Sequence, residues 1–294
     1  MIVHESNSSD FAYMQKLTSR YGSVQLDDSG QQVYHVTSPH VLLQASGYLK
    51  HVLGNQMPCS VLFRGQDKLY KTLEPTLYRN VKSQKVKSNR DAALKEYLEL
   101  LKAENKVLRA IAEPIWDPLL QHYGIRTKWL DLVDNVWVAL WFACHSAKTT
   151  GNYGKYLHFE RRIPGRKAEY AFVLLLRSDA SDRSDQPGMW IGDQTELVDL
   201  RIAVPSTFLR PHAQHAVLLR RCKGLDHTRV DYSDFVVGII RVELADALSW
   251  LGNGTLLTTH ALFPPAHYDF GYQELLQGAA EGNTNIGTIH YVGA

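Results

Sequence analysis

The sequence predicts an α+β fold, helical in its first half and strand-rich in its second. Three observations carry this. Apolar residues recur at helical spacing in stretches that open near residues 39, 91 and 135. After Gly151 the apolar runs shorten and gain β-branched residues, as strands do. No Pro- or Gly-rich linker divides the 294 residues, and a chain of that length with 45% hydrophobic residues can bury a substantial core.

The elements follow in order. Residues 1–37 are polar, with a short helix or coil near Phe11–Arg20, turns at Tyr21-Gly22 and Asp27–Gly30, and a strand near Val33–Val36. Ser38-Pro39 starts a helix, with Ser at the cap and Pro at the first turn, and Gly54 ends it. SVLFRGQ at 60–66 reads as a strand that ends in polar residues. From Asp91, Leu94, Tyr97, Leu98, Leu101, Leu108 and Ile111 form one apolar stripe of an amphipathic helix. Further helices are expected from Glu113-Pro114 to about Gln121 and from Asn135 to about Ser146. Strands are expected at Ala171–Leu176, Leu197–Val204, Ala216–Leu219 and Phe235–Val242. The stretch Leu244–Gly252 looks helical, and a short helix follows the Pro-Pro break before Leu276.

Composition narrows the function classes. The net charge of +2 exerts no global pull towards nucleic acid or membrane. Nine Lys/Arg against four Asp/Glu make residues 79–109 locally basic, but Tyr97 is their only aromatic. A solvated helix face is favoured there over a phosphate-binding surface. The 3 cysteines, Cys59, Cys144 and Cys222, are scattered, which points to a reducing, cytoplasmic setting. The amino terminus lacks a basic and then apolar leader, and the longest apolar run, Val136–Cys144, is nine residues, well short of the roughly 20 of a membrane span. His212 and His215 are the tightest histidine pair of the second half. On a strand their spacing would turn the rings to opposite faces, so no metal is expected.

Three polar constellations remain. Arg64 at the end of an apolar strand presents a planar fork suited to phosphate or carboxylate, and Gln66 shares its face. A buried structural Arg–carboxylate pair is the alternative reading. The segment 121–131 holds His122, Tyr123, Gly124, Thr127 and Asp131 within eleven residues before an apolar helix. It reads as a ligand-facing loop or as turn and cap chemistry. Arg210 to Val217, with Gln214, reads as a strand with a polar entry.

FRGQ at 63–66, EPTLYR at 74–79, QHYGIRTKWLDL at 121–132 and VALWFA at 138–143 resemble the FRG domain family, named for its Phe-Arg-Gly triplet. That family follows an FRGQ-like strand with a PSLxR segment, HxGxPTRLLDWT and a VALYFA-type helix. The match is good over 40–145 and loose over 205–280, where Gln214–Val217 and LFPPAHYD at 262–269 have counterparts. Departures are Thr76 for Ser, Ile125-Arg126 for a Pro-containing pair, Leu132 for Trp and Ala216 for Gly. The resemblance implies one FRG-type domain over 1–294 and a cytoplasmic effector in phage defence or a toxin system. The motif order is similar in turn to ADP-ribosyltransferases of the Arg–Ser–Glu type, which implies a split β-sheet and NAD as substrate. Arg64 would then grip a phosphate, with Thr127 and Gln214 as its catalytic companions. Gln66, Arg79, His122, Tyr123, Asp131 and Arg210 would bind the ligand, Tyr123 by stacking on a planar ring. Position 216, where that family's catalytic Glu belongs, is Ala, and Glu196 is the only substitute in view. A protein or nucleic-acid target is implied and no membrane. The rival classes are a non-catalytic nucleotide- or protein-binding sensor and a nucleic-acid-binding protein using the helix of 79–109.

Overall fold

The computed structural model describes residues 8–17, 19–54, 61–222, 230–278 and 281–293. Cys59 and the amino-terminal leader position at residues 1–7 lie outside them. The strands are β1 (Gly22–Leu26), β2 (Gln32–Val36), β3 (Val61–Gln66), β4 (Leu130–Val133), β5 (His145–Thr150), β6 (Tyr156–Arg161) and β7 (Tyr170–Arg177). They continue with β8 (Asp182–Arg183), β9 (Met189–Ile191), β10 (Thr195–Asp199), β11 (Ala216–Arg221), β12 (Val236–Glu243) and β13 (Tyr291–Val292). Ten of them make one mixed sheet in the order β1-β2-β12-β7-β3-β4-β11-β10-β9-β8, and β13-β6-β5 make a small second sheet. The fold is thus a mixed helix-and-strand architecture around a large sheet.

The sheet is nearly two sheets. β3 pairs with β7 along six residues, from Val61↔Arg177 to Gln66↔Phe172, but touches β4 through the single pair Phe63↔Val133. β4 pairs with β11 on its other edge from Ala216↔Val133 to Leu219↔Leu130. The two halves therefore part just beyond Phe63, where Arg64 and Gly65 follow.

Burial on both faces explains the apolar runs. On β11, Val217 and Leu219 join one core while Ala216 and Leu218 join the other. Strand alternation thus assigns neighbouring residues to opposite layers. The first core surrounds the helix Val136–Cys144, in which Val138, Ala139, Leu140, Trp141, Ala143 and Cys144 are all buried. The second is built on the helices Gln84–Glu104 and Trp116–Tyr123 with Trp129, Phe208 and Tyr272.

Several boundaries differ from the sequence reading. Pro39–Leu53 is helical and Gly54 caps it, as the Ser-Pro start predicts, although the Ser38 side chain makes no cap bond. Asn135 caps the helix Val136–Cys144 by accepting from the Trp137 N–H at 2.9 Å. Asp131 belongs to β4 rather than to a cap. The expected strand Leu197–Val204 is β10 followed by a helical turn, Leu200–Ala203, because the Asp199 carboxylate accepts from the Arg201 N–H at 2.9 Å and starts a helix there. Leu209–Ala213 is likewise a short helix, so Arg210 and His212 are not on a strand. His215 makes the turn into β11 with φ of 51°. The argument from strand alternation for the two histidines therefore does not hold. The first half also carries β1 and β4, whose five and four residues are too short to show periodicity.

Candidate functional site

The parted sheet opens into a cavity of about 820 Å³. β3 contributes Phe63, Arg64 and Gly65, and β4 contributes Asp131, Leu132 and Val133. Arg64 spans the gap: its Nη1 donates to the Asp131 carbonyl at 2.6 Å. Gly65 is there because β3 lies against the helix Val136–Cys144. A Cβ at this residue would fall on the Ala139 carbonyl oxygen and stand 2.8 Å from the Ala143 nitrogen.

Five arginines line the cleft: Arg64, Arg79, Arg90, Arg126 and Arg210. Each donates to a backbone carbonyl, of Asp131, Glu74, Leu77, Thr284 and His122 respectively. Among the described residues none of the five forms an ion pair with a carboxylate. Their charges crowd one another. Burial and then the neighbouring Arg79 pull the Arg64 pKa down to about 10, still far above neutrality. Burial, Arg90 and Arg79 lower that of Arg126. The Nε of Arg64 and of Arg90 are buried without a hydrogen-bond partner.

Among the described residues Asp131 is the single carboxylate lining the cavity. Burial alone would raise its pKa, but the adjacent His122, the Gln121 hydrogen bond and the Arg64 charge outweigh it and hold the carboxyl below its ordinary value. Gln121 is the hub that places it. Its Nε2 donates to Asp131 Oδ2 at 2.7 Å, while its Oε1 accepts from Thr76 Oγ1, the Thr127 N–H and Thr127 Oγ1, each at 3.0 Å. Asp131 Oδ1 and His122 Nε2 are left unpartnered, and His122 Nδ1 stands 4.0 Å from that Oδ1.

The residues singled out in the sequence are distributed as follows. Arg64, Arg79, His122, Asp131, Arg210 and Gln214 line the cavity together. Thr127 is fully buried behind it and acts on Gln121 and, by accepting at 3.2 Å, on the Trp129 N–H. Gln66 is buried with Oε1 unpartnered, and it does not line the cavity. Tyr123 is fully buried, with its ring stacked 5.3 Å from Tyr272 and its hydroxyl donating to Asp269 Oδ2 at 2.9 Å. Its ring is thus already occupied on the protein side. Gln214 Nε2 donates to the Leu262 carbonyl at 2.8 Å. Glu196 lies on β10 in a buried ion pair with Arg220 and is not a cleft residue, which corrects its candidacy as a substitute carboxylate. Sequence reasoning missed Gln121, Arg90, Arg126 and His290. The signal for Gln121 was present in the QHYG motif, whereas His290 is brought in only by the fold, through its N–H to the Tyr123 carbonyl at 2.9 Å.

The family model of the FRG domain matches residues 59–152. No curated protein and no solved structure matches the chain. The matched segment supplies β3, β4, β5 and four of the five arginines, whereas Arg210, Gln214, Phe263 and His290 line the cleft from outside it. Among the described residues no group of three or more His, Cys, Asp or Glu is placed to hold a metal ion, and no helix is long and apolar enough to cross a membrane. Of the cysteines described, buried Cys144 and half-buried Cys222 are free thiols.

His290 gives the cleft a pH signature. Burial, followed by Arg210 and Arg126, lowers its pKa to about 4. An exposed histidine in the unfolded chain titrates near 6.5. Between those values the unfolded chain binds a proton that the fold refuses, so stability is lost as pH falls below about 6.5. Burial lowers His35, His145 and His215 in the same direction. Thermal unfolding followed from pH 7 to pH 5 is expected to show a falling Tm. His290→Asn should flatten that slope, since His290 alone accounts for on the order of 2 kcal/mol at pH 5. An unchanged slope in the variant would remove His290 from the account.

Proposed function

We propose that the cleft binds a nucleotide such as NAD and that the protein transfers or hydrolyses its ADP-ribose unit. The observation that carries this reading is the set of five cleft arginines without carboxylate partners. Arg210 is buried, and Arg64 and Arg90 each keep a buried Nε without a partner; guanidinium groups so placed favour an anion, and phosphate matches their planar fork in bidentate geometry. Phe63, Phe142, Phe159 and Phe263 on the same cavity wall offer apolar faces to planar rings.

Asp131 is the group suited to the chemistry. When the bond from the ribose C1′ to nicotinamide breaks, its electron pair leaves with nicotinamide and the ribose becomes cationic. A fixed carboxylate beside it stabilises that charge. Water or a target nucleophile then forms the new bond at C1′, and His122 takes the proton released. The similarity of the motif order to ADP-ribosyltransferases and the parting of the sheet at Arg64 support this reading. The FRG resemblance is what supports a place in phage defence or a toxin system. A second reading, a nucleotide sensor without turnover, draws on Ala216, which is buried where a catalytic Glu would stand by that similarity.

The test is equilibrium binding of NAD, with release of nicotinamide and transfer of label measured in parallel. Wild-type protein is expected to bind NAD, and Arg64→Ala to weaken binding about 10- to 100-fold. Binding without turnover leaves the sensor. Absence of any nucleotide binding removes both readings.

A further inference from the structure

We propose that Arg210 forms a second anion subsite, so that the ligand is a nucleotide with at least two phosphate groups, one on Arg64 and one on Arg210. The inference rests on the nucleotide reading above and adds the ligand class.

Arg210 is 1% exposed, and its Nε and Nη2 have no hydrogen-bond partner. Its guanidinium carbon lies 4.2 Å from the Tyr123 ring centroid, 4.4 Å from that of Tyr272 and 5.3 Å from that of Phe263. These ring faces hold the cation, and the one acceptor they bring near its donors, the Tyr272 hydroxyl, is shared with the Val292 N–H. The buried carboxylate of Asp269 is committed elsewhere: Oδ2 accepts from the Arg210 backbone N–H at 3.1 Å and from Tyr123, and Oδ1 from the Tyr272 N–H at 3.0 Å. A buried charge with free donors is costly, and a phosphate entering the cavity it lines would satisfy both.

The subsite is separate from that of Arg64. Arg210 Nη1 donates to the His122 carbonyl at 3.2 Å, and Arg64 Nη1 to the Asp131 carbonyl. The two guanidinium groups are thus anchored on different carbonyls, those of the residues whose side chains face each other at 4.0 Å. His290 stands beside Arg210 as an uncharged imidazole at neutral pH that does not add to the repulsion.

The experiment compares ADP with AMP by calorimetric titration on the full chain. Wild type is expected to bind ADP at least about tenfold more tightly than AMP, since one further charge-assisted contact is worth that much. Arg210→Met should erase the preference and leave AMP binding in place. Loss of the three ring contacts and of the bond to the His122 carbonyl should lower its Tm somewhat, so the ADP to AMP ratio is the deciding readout. A purely structural Arg210 would leave that ratio alone. If Arg210→Met does not fold, Arg210→Lys decides on the same ratio, a several-fold loss of preference supporting the subsite. An ADP preference unchanged in the variant, or equal binding of ADP and AMP to wild type with nucleotide bound, overturns the inference. Binding of neither nucleotide overturns the nucleotide reading itself.

Discussion

Replacing Gly65 by alanine is expected to destabilise the protein by about 3 kcal/mol or more, the upper range for overpacking a well-packed interior. The added methyl group would fall on the carbonyl oxygen of Ala139 and stand 2.8 Å from the Ala143 nitrogen. Both are backbone atoms of the buried helix Val136–Cys144, so no rotamer change relieves the overlap. Either β3 or the helix has to shift, and β3 is locked to β7 through six paired residues. A domain is stable by only about 5 to 15 kcal/mol, so the loss is a large share. On the order of 10 °C in Tm should go with it. Gly47 provides the control. It is an exposed residue inside the helix Pro39–Leu53, with nothing within 4 Å of a built Cβ. There alanine should raise stability by about 0.5 to 1 kcal/mol, through helix propensity alone. Thermal or denaturant unfolding of the two variants checks the pair, and a Gly65→Ala protein as stable as wild type would show that the strand and helix backbones are not in close contact.

That glycine shows what was legible in the sequence. In the sequence its small size marks a close approach without naming the partner. Only the fold names Ala139 and Ala143. Arg64 was legible for the same local reason, a charged fork at the end of an apolar strand. The helices at 39–53 and 136–144 were legible because caps and periodicity are short-range signals. The short helix Leu209–Ala213 was not, since five residues with a central proline carry no period, and the polar run was assigned to the strand that starts at Ala216. Arg90 and Arg126 were hidden for another reason. In one dimension Arg90 belongs to a basic solvated helix and Arg126 to a turn, and their convergence on Arg79 depends on how that helix packs beside residues 124–126. The basic excess of 79–109 thus divides: Arg79 and Arg90 face the cleft. His290 is further still, 226 residues from Arg64 by its position in the chain, and no local pattern links the two.

On the proposed function, Asp131→Asn is expected to lower turnover of the nucleotide by about 100-fold or more while nucleotide affinity stays level or rises. The two halves of that expectation come from opposite consequences of one charge. In a cleft lined by five arginines and built for an anion, a carboxylate repels the ligand and partly neutralises the site. Removing its charge therefore favours binding of phosphate groups. The same charge, fixed by Gln121 and held in its anionic form by His122 and Arg64, is what would stabilise a cationic ribose in the transition state. An amide keeps the oxygen that accepts from Gln121 Nε2 and loses only the charge, so the fold and the hub of Thr76, Gln121 and Thr127 should persist. Gln121→Ala serves as a companion. It leaves the charge but frees its direction, and should lower turnover with a loss of stability, since the buried N–H of Thr127 loses its acceptor. Calorimetric binding together with nicotinamide release measures both quantities on each protein. Equal loss of binding and turnover in Asp131→Asn would make the carboxylate a ligand contact rather than the group that answers charge at the ribose. Retained turnover would leave the imidazoles lining the cleft, His122, His145 and His290, as the groups to test next.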